Sequence, residues 1–185
     1  MTAVTYVTAR PLSSPMTRAD LEHLPDDGRR YELIDGTLIV SPGPVLPHQD
    51  MVGNLHLLLR AGCPADLKVV LAPFSVALAE DTELQPDLLV APRSQFTRKE
   101  LPGGPLLAVE VLSPSTRRVD LLLKRDRLQS AGVPSYWLVD PETPSVTVLE
   151  LRGGVYIETG RAEGDELLTV TAPYPLKIVP ARLLD

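Results

Sequence analysis

The chain carries one cysteine, Cys63, in 185 residues. A lone thiol cannot close an internal disulfide, so a stapled secreted scaffold is excluded. Histidines occur only at positions 23, 48 and 56, and with the single cysteine they form no zinc-ligand spacing. No apolar run approaches the ~18–20 residues that a membrane-crossing helix needs. Residues 1–15 lack the basic start and apolar core of a signal peptide. Neither a glycine-rich phosphate loop nor a G-x-S-x-G nucleophile elbow is present. These absences leave a soluble, cytoplasmic globular protein as the expectation, with no membrane partner. The net charge of −6 argues further against a protein that coats nucleic acid non-specifically.

Proline is the residue in excess, at 19 of 185, roughly twice the usual ~5%. A chain of this length buries ~70% of its unfolded surface as one domain. The Thr/Ser/Pro-rich residues 1–16 read as a flexible N-terminal arm, and residues 17–185 as a single domain. Charge is unevenly placed. Residues 1–92 are net −6, residues 93–131 net +4, and residues 132–185 net −4.

Thr17 with Asp20 three residues on reads as a helix start. Tyr31–Ile34 and Thr37–Val40 flank Asp35-Gly36, the dipeptide of a two-residue type I′ hairpin. Pro47 suits the first turn of a helix that runs to about Ala61, with Val52, Leu55, Leu58 and Leu59 on its apolar face. Strands are predicted near Lys68–Leu71 and Phe74–Ala79. Asp87–Ala91 and Leu106–Leu112 are continuous apolar runs bounded by prolines, the pattern of strands buried on both faces. A helix over Thr116–Ala131 closes at Gly132, and Ser135–Asp140 is a further strand. Ser145–Leu151, Val155–Thr159 and Glu166–Thr171 complete a meander that turns at Gly153-Gly154. The order predicts an α/β fold of the mixed-sheet (α+β) kind, not a doubly wound one.

Certain side chains break this pattern. Glu110 sits inside LLAVEVL and Asp87 at the mouth of DLLVA, where binary patterning excludes acids. An unpaired buried carboxylate costs several kcal/mol, so each must be paired, protonated or metal-bound. If the two strands are neighbours, the acids converge, with Glu32 on the first hairpin and Lys124 on the next helix as further candidates. A hard cation wants carboxylate oxygens, and a nearby lysine orients or deprotonates water and stabilises developing charge. Metal-assisted phosphodiester hydrolysis uses this set. Bland readings stand beside it: Asp87 as a strand-end turn residue, Glu32 as a solvent-facing acid, Lys124 with Asp120 as an i,i+4 surface pair. Glu110 has no comparable bland reading.

Pro86-Asp87 followed by Glu110-Val111-Leu112 resembles the PD-(D/E)xK nuclease superfamily. The segments Tyr31–Gly36, Ser41–Pro44 with His48-Gln49, Gln85–Val90, Glu110–Thr116 and Ala131–Pro141 narrow the likeness: they resemble the Uma family of restriction endonucleases, from about Thr17 to the C-terminus. The resemblance implies a restriction-endonuclease-like core, a central mixed β-sheet flanked by helices. It implies Glu32, Asp87 and Glu110 as metal-site acids for Mg²⁺ (or Mn²⁺), and Lys124 as the catalytic lysine supplied from the following helix. Leu112 stands where the superfamily's third motif residue is usually Lys, and Leu128 where a Tyr often follows the helical lysine by one turn. His48 matches a family position, either touching the metal site or a phosphate, or held by a hydrogen bond at the helix start. Arg117 and Arg118 are candidate phosphate contacts, or part of a solvated face. The implied activity is endonucleolytic cleavage of DNA, with a homodimer by analogy with nucleases that cut both strands. The competing expectations are an inert nuclease-fold binding module and a metal-dependent hydrolase of small phosphorylated molecules.

Overall fold

The computed structural model describes residues 15–185. The arm expected at residues 1–16 therefore lies almost wholly outside the described residues. Where the chain enters, the Met16 N–H donates to the Gly36 carbonyl at 3.1 Å. Helix α1 (Arg18–Leu21) follows, with Asp20 accepting from both the backbone N–H and the hydroxyl of Thr17.

Strands β1 (Arg30–Ile34) and β2 (Thr37–Ser41) form the expected hairpin. Its turn places Asp35 at φ +50° and Gly36 at φ +72°, the paired positive dihedrals of type I′. Helix α2 (Leu46–Gly62) buries His48, Met51, Val52, Leu55 and Leu59 along one face. Strands β3 (Leu67–Leu71), β4 (Ser75–Ala79), β5 (Thr82–Leu84), β6 (Leu88–Pro92), β7 (Glu100–Pro102) and β8 (Leu107–Val111) come next. A helical segment then runs as a π-helix over Val119–Lys124 into α3 (Arg125–Ser130). Strands β9 (Ser135–Asp140), β10 (Ser145–Arg152), β11 (Val155–Glu163), β12 (Leu168–Val170) and β13 (Leu176–Ile178) finish the chain.

The one central sheet expected divides into two main sheets. A six-stranded mixed sheet has the order β11-β10-β9-β8-β6-β3, and a five-stranded sheet the order β2-β1-β5-β4-β7. β12 and β13 pair only with each other, so the predicted meander ends at β11. Strands β5, β7 and β13 are three residues each, too short to show an alternation in the sequence.

β8 and β9 are parallel, and parallel neighbours need a crossover, which the π/α3 helix supplies. The helix stops in a Schellman motif: Gly132 at φ +75° donates to the Gln129 carbonyl and Val133 to that of Leu128. β8 is buried on both faces, as its apolar run predicts. Leu107, Val109 and Val111 join the core shared with α2, whereas Ala108 joins the opposite core with Leu128, Tyr136 and Ile34. Alternation puts Glu110 on that second face, toward the crossover helix and the β1 hairpin.

Leu55 is fully buried in the larger core. Leu55→Ala is expected to lower unfolding free energy by about 2–5 kcal/mol, measured by urea denaturation, because the helix cannot collapse into the space without leaving the sheet.

Candidate active site

Four separate segments bring titratable side chains to one buried place. Glu32 comes from β1, Asp87 from the residue before β6, Glu110 from β8, and Asp120 and Lys124 from the π-helical turn. All five are essentially inaccessible to solvent. Antiparallel pairing sets Leu88 against Val109, so the next position along each strand places Asp87 against Glu110. The two strands are neighbours, the condition the sequence reading set for these acids to converge.

Lys124 stands at the centre. Its Nζ donates to Glu110 Oε1 at 2.8 Å, lies 2.9 Å from Glu32 Oε1, and is 3.4 Å from Asp120 Oδ1. The surface-pair reading of Lys124 and the solvent-facing reading of Glu32 are both overturned by this burial. Two of these acids are held from behind. The Gln85 N–H donates to Glu32 Oε1 at 2.7 Å, and the Thr116 hydroxyl to Asp120 Oδ2 at 2.8 Å. The Tyr136 hydroxyl donates to the Asp120 carbonyl at 3.0 Å, so an aromatic from β9 anchors the π-turn. A π-turn within a helix is a frequent mark of a functional site.

Asp87 belongs to a second group. Arg30 Nη1 donates to Oδ1 at 2.7 Å, the Val111 N–H to Oδ2 at 2.9 Å, and His48 Nε2 lies 3.2 Å from Oδ2. His48 is therefore buried against Asp87 and held by a hydrogen bond at the helix start. Arg117 turns to the other flank of the helix and pairs with Asp140 at 2.6 Å, and Arg118 is exposed. Neither contacts the acids. Arg30 and Asp120 are the members that sequence reasoning missed as site residues. Arg30 is two residues before Glu32 on the same strand face, a spacing that could have found it.

Four carboxyl groups meet two permanent cations, Arg30 and Lys124, a formal surplus of two negative charges when all four are ionised. Burial drives the Glu110 and Asp120 carboxyls upward against the pull of Lys124, with the neighbouring acids adding to the rise. Burial also raises Asp87, but the His48 hydrogen bond and the charge of Arg30 outweigh it and hold that carboxyl well below the usual range. Lys124 would lose its proton through desolvation, but Glu110, Glu32 and Asp120 more than offset this and raise it.

A divalent cation would neutralise the surplus. The donors are hard oxygens, and Glu32 Oε2 and Asp120 Oδ1 are buried without a hydrogen-bond partner, so donor chemistry and charge fit Mg²⁺ or Mn²⁺. Among the described residues no three acid or imidazole side chains converge on one point as ready ligands. Lys124 Nζ stands between the acids.

A family model described as "Putative restriction endonuclease", Uma2, matches residues 18–181. The fold is similar to the crystal structure of "a putative nuclease belonging to DUF820 from Anabaena variabilis ATCC 29413", with a TM-score of 0.70 at 19% identity over 92% of this chain and 98% of that one. No curated protein matches the chain. Among the described residues no helix is long and apolar enough to cross a membrane.

Glu110 and Asp120 bind protons more tightly folded than unfolded. Their contribution to stability is full below their ordinary values near pH ~4 and is lost as pH rises. Asp87 has the opposite sign: its contribution is present above pH ~4 and is lost in stronger acid. Lys124→Met leaves the acids uncompensated and is expected to cost about 3–5 kcal/mol at pH 7. The loss should shrink at pH 5 as carboxylates take up protons. Urea midpoints of both proteins at the two pH values check this, and an equal loss at both would contradict the charge account.

Proposed function

The chain belongs to the Uma2 family of restriction-endonuclease-like proteins, and from that premise we propose that it is a metal-dependent endonuclease that hydrolyses DNA phosphodiester bonds. The observation that carries this reading is the buried cluster of Glu32, Glu110 and Lys124, joined to Asp87 through Arg30, with a formal surplus of acids. Glu32, Asp87 and Glu110 would hold Mg²⁺ or Mn²⁺, with Asp120 as a fourth oxygen donor beside them. When bound, such an ion polarises a phosphoryl oxygen and lowers the pKa of a coordinated water.

The chain's own groups divide the remaining work. Arg30, His48 and the Val111 N–H keep Asp87 ionised and oriented. The Gln85 N–H fixes Glu32. Lys124 is held as an ammonium among three carboxylates, so it meets the attacking water and the phosphate as a donor and a positive charge. The surrounding strands exclude bulk water, which strengthens each of these interactions. Cleavage of both strands calls for two such clusters and hence a homodimer. Sedimentation of the DNA-bound protein tests that stoichiometry.

A second reading is an inert nuclease-fold module, favoured by the position of Lys124 between the acids and by the absence of a ready three-ligand group among the described residues. One pair of experiments separates the two. The wild type should cut a plasmid and linear DNA panel only with Mg²⁺ or Mn²⁺. Glu110→Gln and Asp87→Asn should each lower the rate at least ~100-fold, and calorimetry should show metal binding lost in Glu110→Gln. Wild-type protein that neither binds either ion nor cuts any DNA would leave the module reading.

A further inference from the structure

The helix that carries Lys124 has a second working face. Arg117, Leu121 and Arg125 lie on its other flank, toward β9–β11. With Leu112, Leu138 and Leu149 they border a cleft of about 350 Å³, within the ~300–1,000 Å³ usual for ligand sites. Ser145 and Thr147 contribute hydroxyls to the wall, and Arg161 and Glu158 of β11 form the far rim.

The polar groups here are unevenly matched. Asp140 is already engaged by Arg117 at 2.6 Å and by the Glu142 N–H at 3.0 Å. Arg125 has five N–H donors. One reaches the Tyr156 carbonyl at 3.4 Å, and its Nε is buried with no partner. Arg161 is half-exposed, and its ion pair with Glu163 is 4.0 Å long. Among the described residues Arg125 thus has no carboxylate partner and Arg161 only this long pair, and both line a cleft whose wall also carries Leu112, Leu138 and Leu149. Planar guanidinium forks match phosphate oxygens, whereas a leucine floor wants an apolar ring or sugar face.

We propose that this cleft is a nucleotide-binding subsite, in which Arg125 and Arg161 take a phosphate group and the leucine floor takes the sugar or base attached to it. A bare inorganic anion would leave the leucines in water, so the floor selects a nucleotide over phosphate. Glu158 on the rim repels further negative charge and limits the site to one phosphate. The nucleotide comes either from a nucleic-acid strand or from a free mononucleotide. The strand source rests on the nuclease reading. The cleft and the acid cluster lie on neighbouring flanks of one helix, ~10–12 Å wide with its side chains. At ~3.4 Å of rise per phosphate, a strand seated in the cleft would reach the acids within about three nucleotides.

The test is equilibrium binding in EDTA, with the full chain. The probes are a fluorescent 12-nucleotide thymidine strand followed by anisotropy, and deoxyadenosine monophosphate and inorganic phosphate followed by calorimetry. Wild type should bind the strand or the mononucleotide, and inorganic phosphate at least tenfold more weakly. Arg125→Gln and Arg161→Gln should each weaken binding by about tenfold, and Glu158→Gln should tighten it. For the strand, the salt slope should fall by about one per arginine removed. Arg161 is a surface residue, so its variant decides the matter even if Arg125→Gln fails to fold. Strand binding identifies nucleic acid as the source, and mononucleotide binding alone identifies a free nucleotide. Equal binding by wild type and both arginine variants, binding of inorganic phosphate as tight as that of the nucleotides, or no binding of any probe overturns the proposal. Absence of cleavage by the wild type would sink the nuclease reading alone and leave an arginine-dependent site standing.

Discussion

An ammonium group with essentially no exposure to water holds this molecule in register. Lys124 Nζ is shared by Glu110, Glu32 and Asp120, which belong to the six-stranded sheet, the five-stranded sheet and the crossover helix. Each of these ions taken alone would carry a desolvation penalty of several kcal/mol. Together they offset it only when all three elements sit in one arrangement, so the cluster specifies how the two sheets dock. Arg30 extends the constraint, since it lies on β1 but grips Asp87 at the start of an interior strand of the other sheet.

The π-turn is what divides the helix between two tasks. Over Val119–Lys124 it gives one flank to Asp120 and Lys124 and the neighbouring flank to Leu121, with Arg117 before it and Arg125 after it. Charge of opposite sign is thereby kept on either side of one helix: acids on the flank toward β1 and β8, guanidinium groups on the flank toward β11.

Legibility followed the locality of the signal. The Asp35-Gly36 turn, the proline-bounded strands and the Gly132 helix stop were readable because each depends on a few adjacent residues. Glu110 was readable as an acid in a place that patterning forbids, and burial confirms that the violation was real. Glu32 and Lys124 could be raised only as candidates, because a hairpin acid and a helix lysine look ordinary until a second sheet closes over them. Their assignment leaned on the family likeness, and no local rule predicts that β1 leaves the central sheet for another. The π-turn, too, has no composition of its own, and so Asp120 read as a mere i,i+4 neighbour of Lys124.

The distances along the chain between the clustered residues carry a further meaning. Glu110 and Lys124 are only 14 residues apart, but Arg30 and Asp87 are separated by 57 and His48 and Asp87 by 39. Long closures of this kind come after local hairpins and helices in folding, because chain entropy opposes them until many contacts act together. A nascent or partly folded chain would therefore display the β1–β2 turn and the crossover helix well before it owned a complete acid cluster. The buried cluster exists in full only once the whole domain has closed.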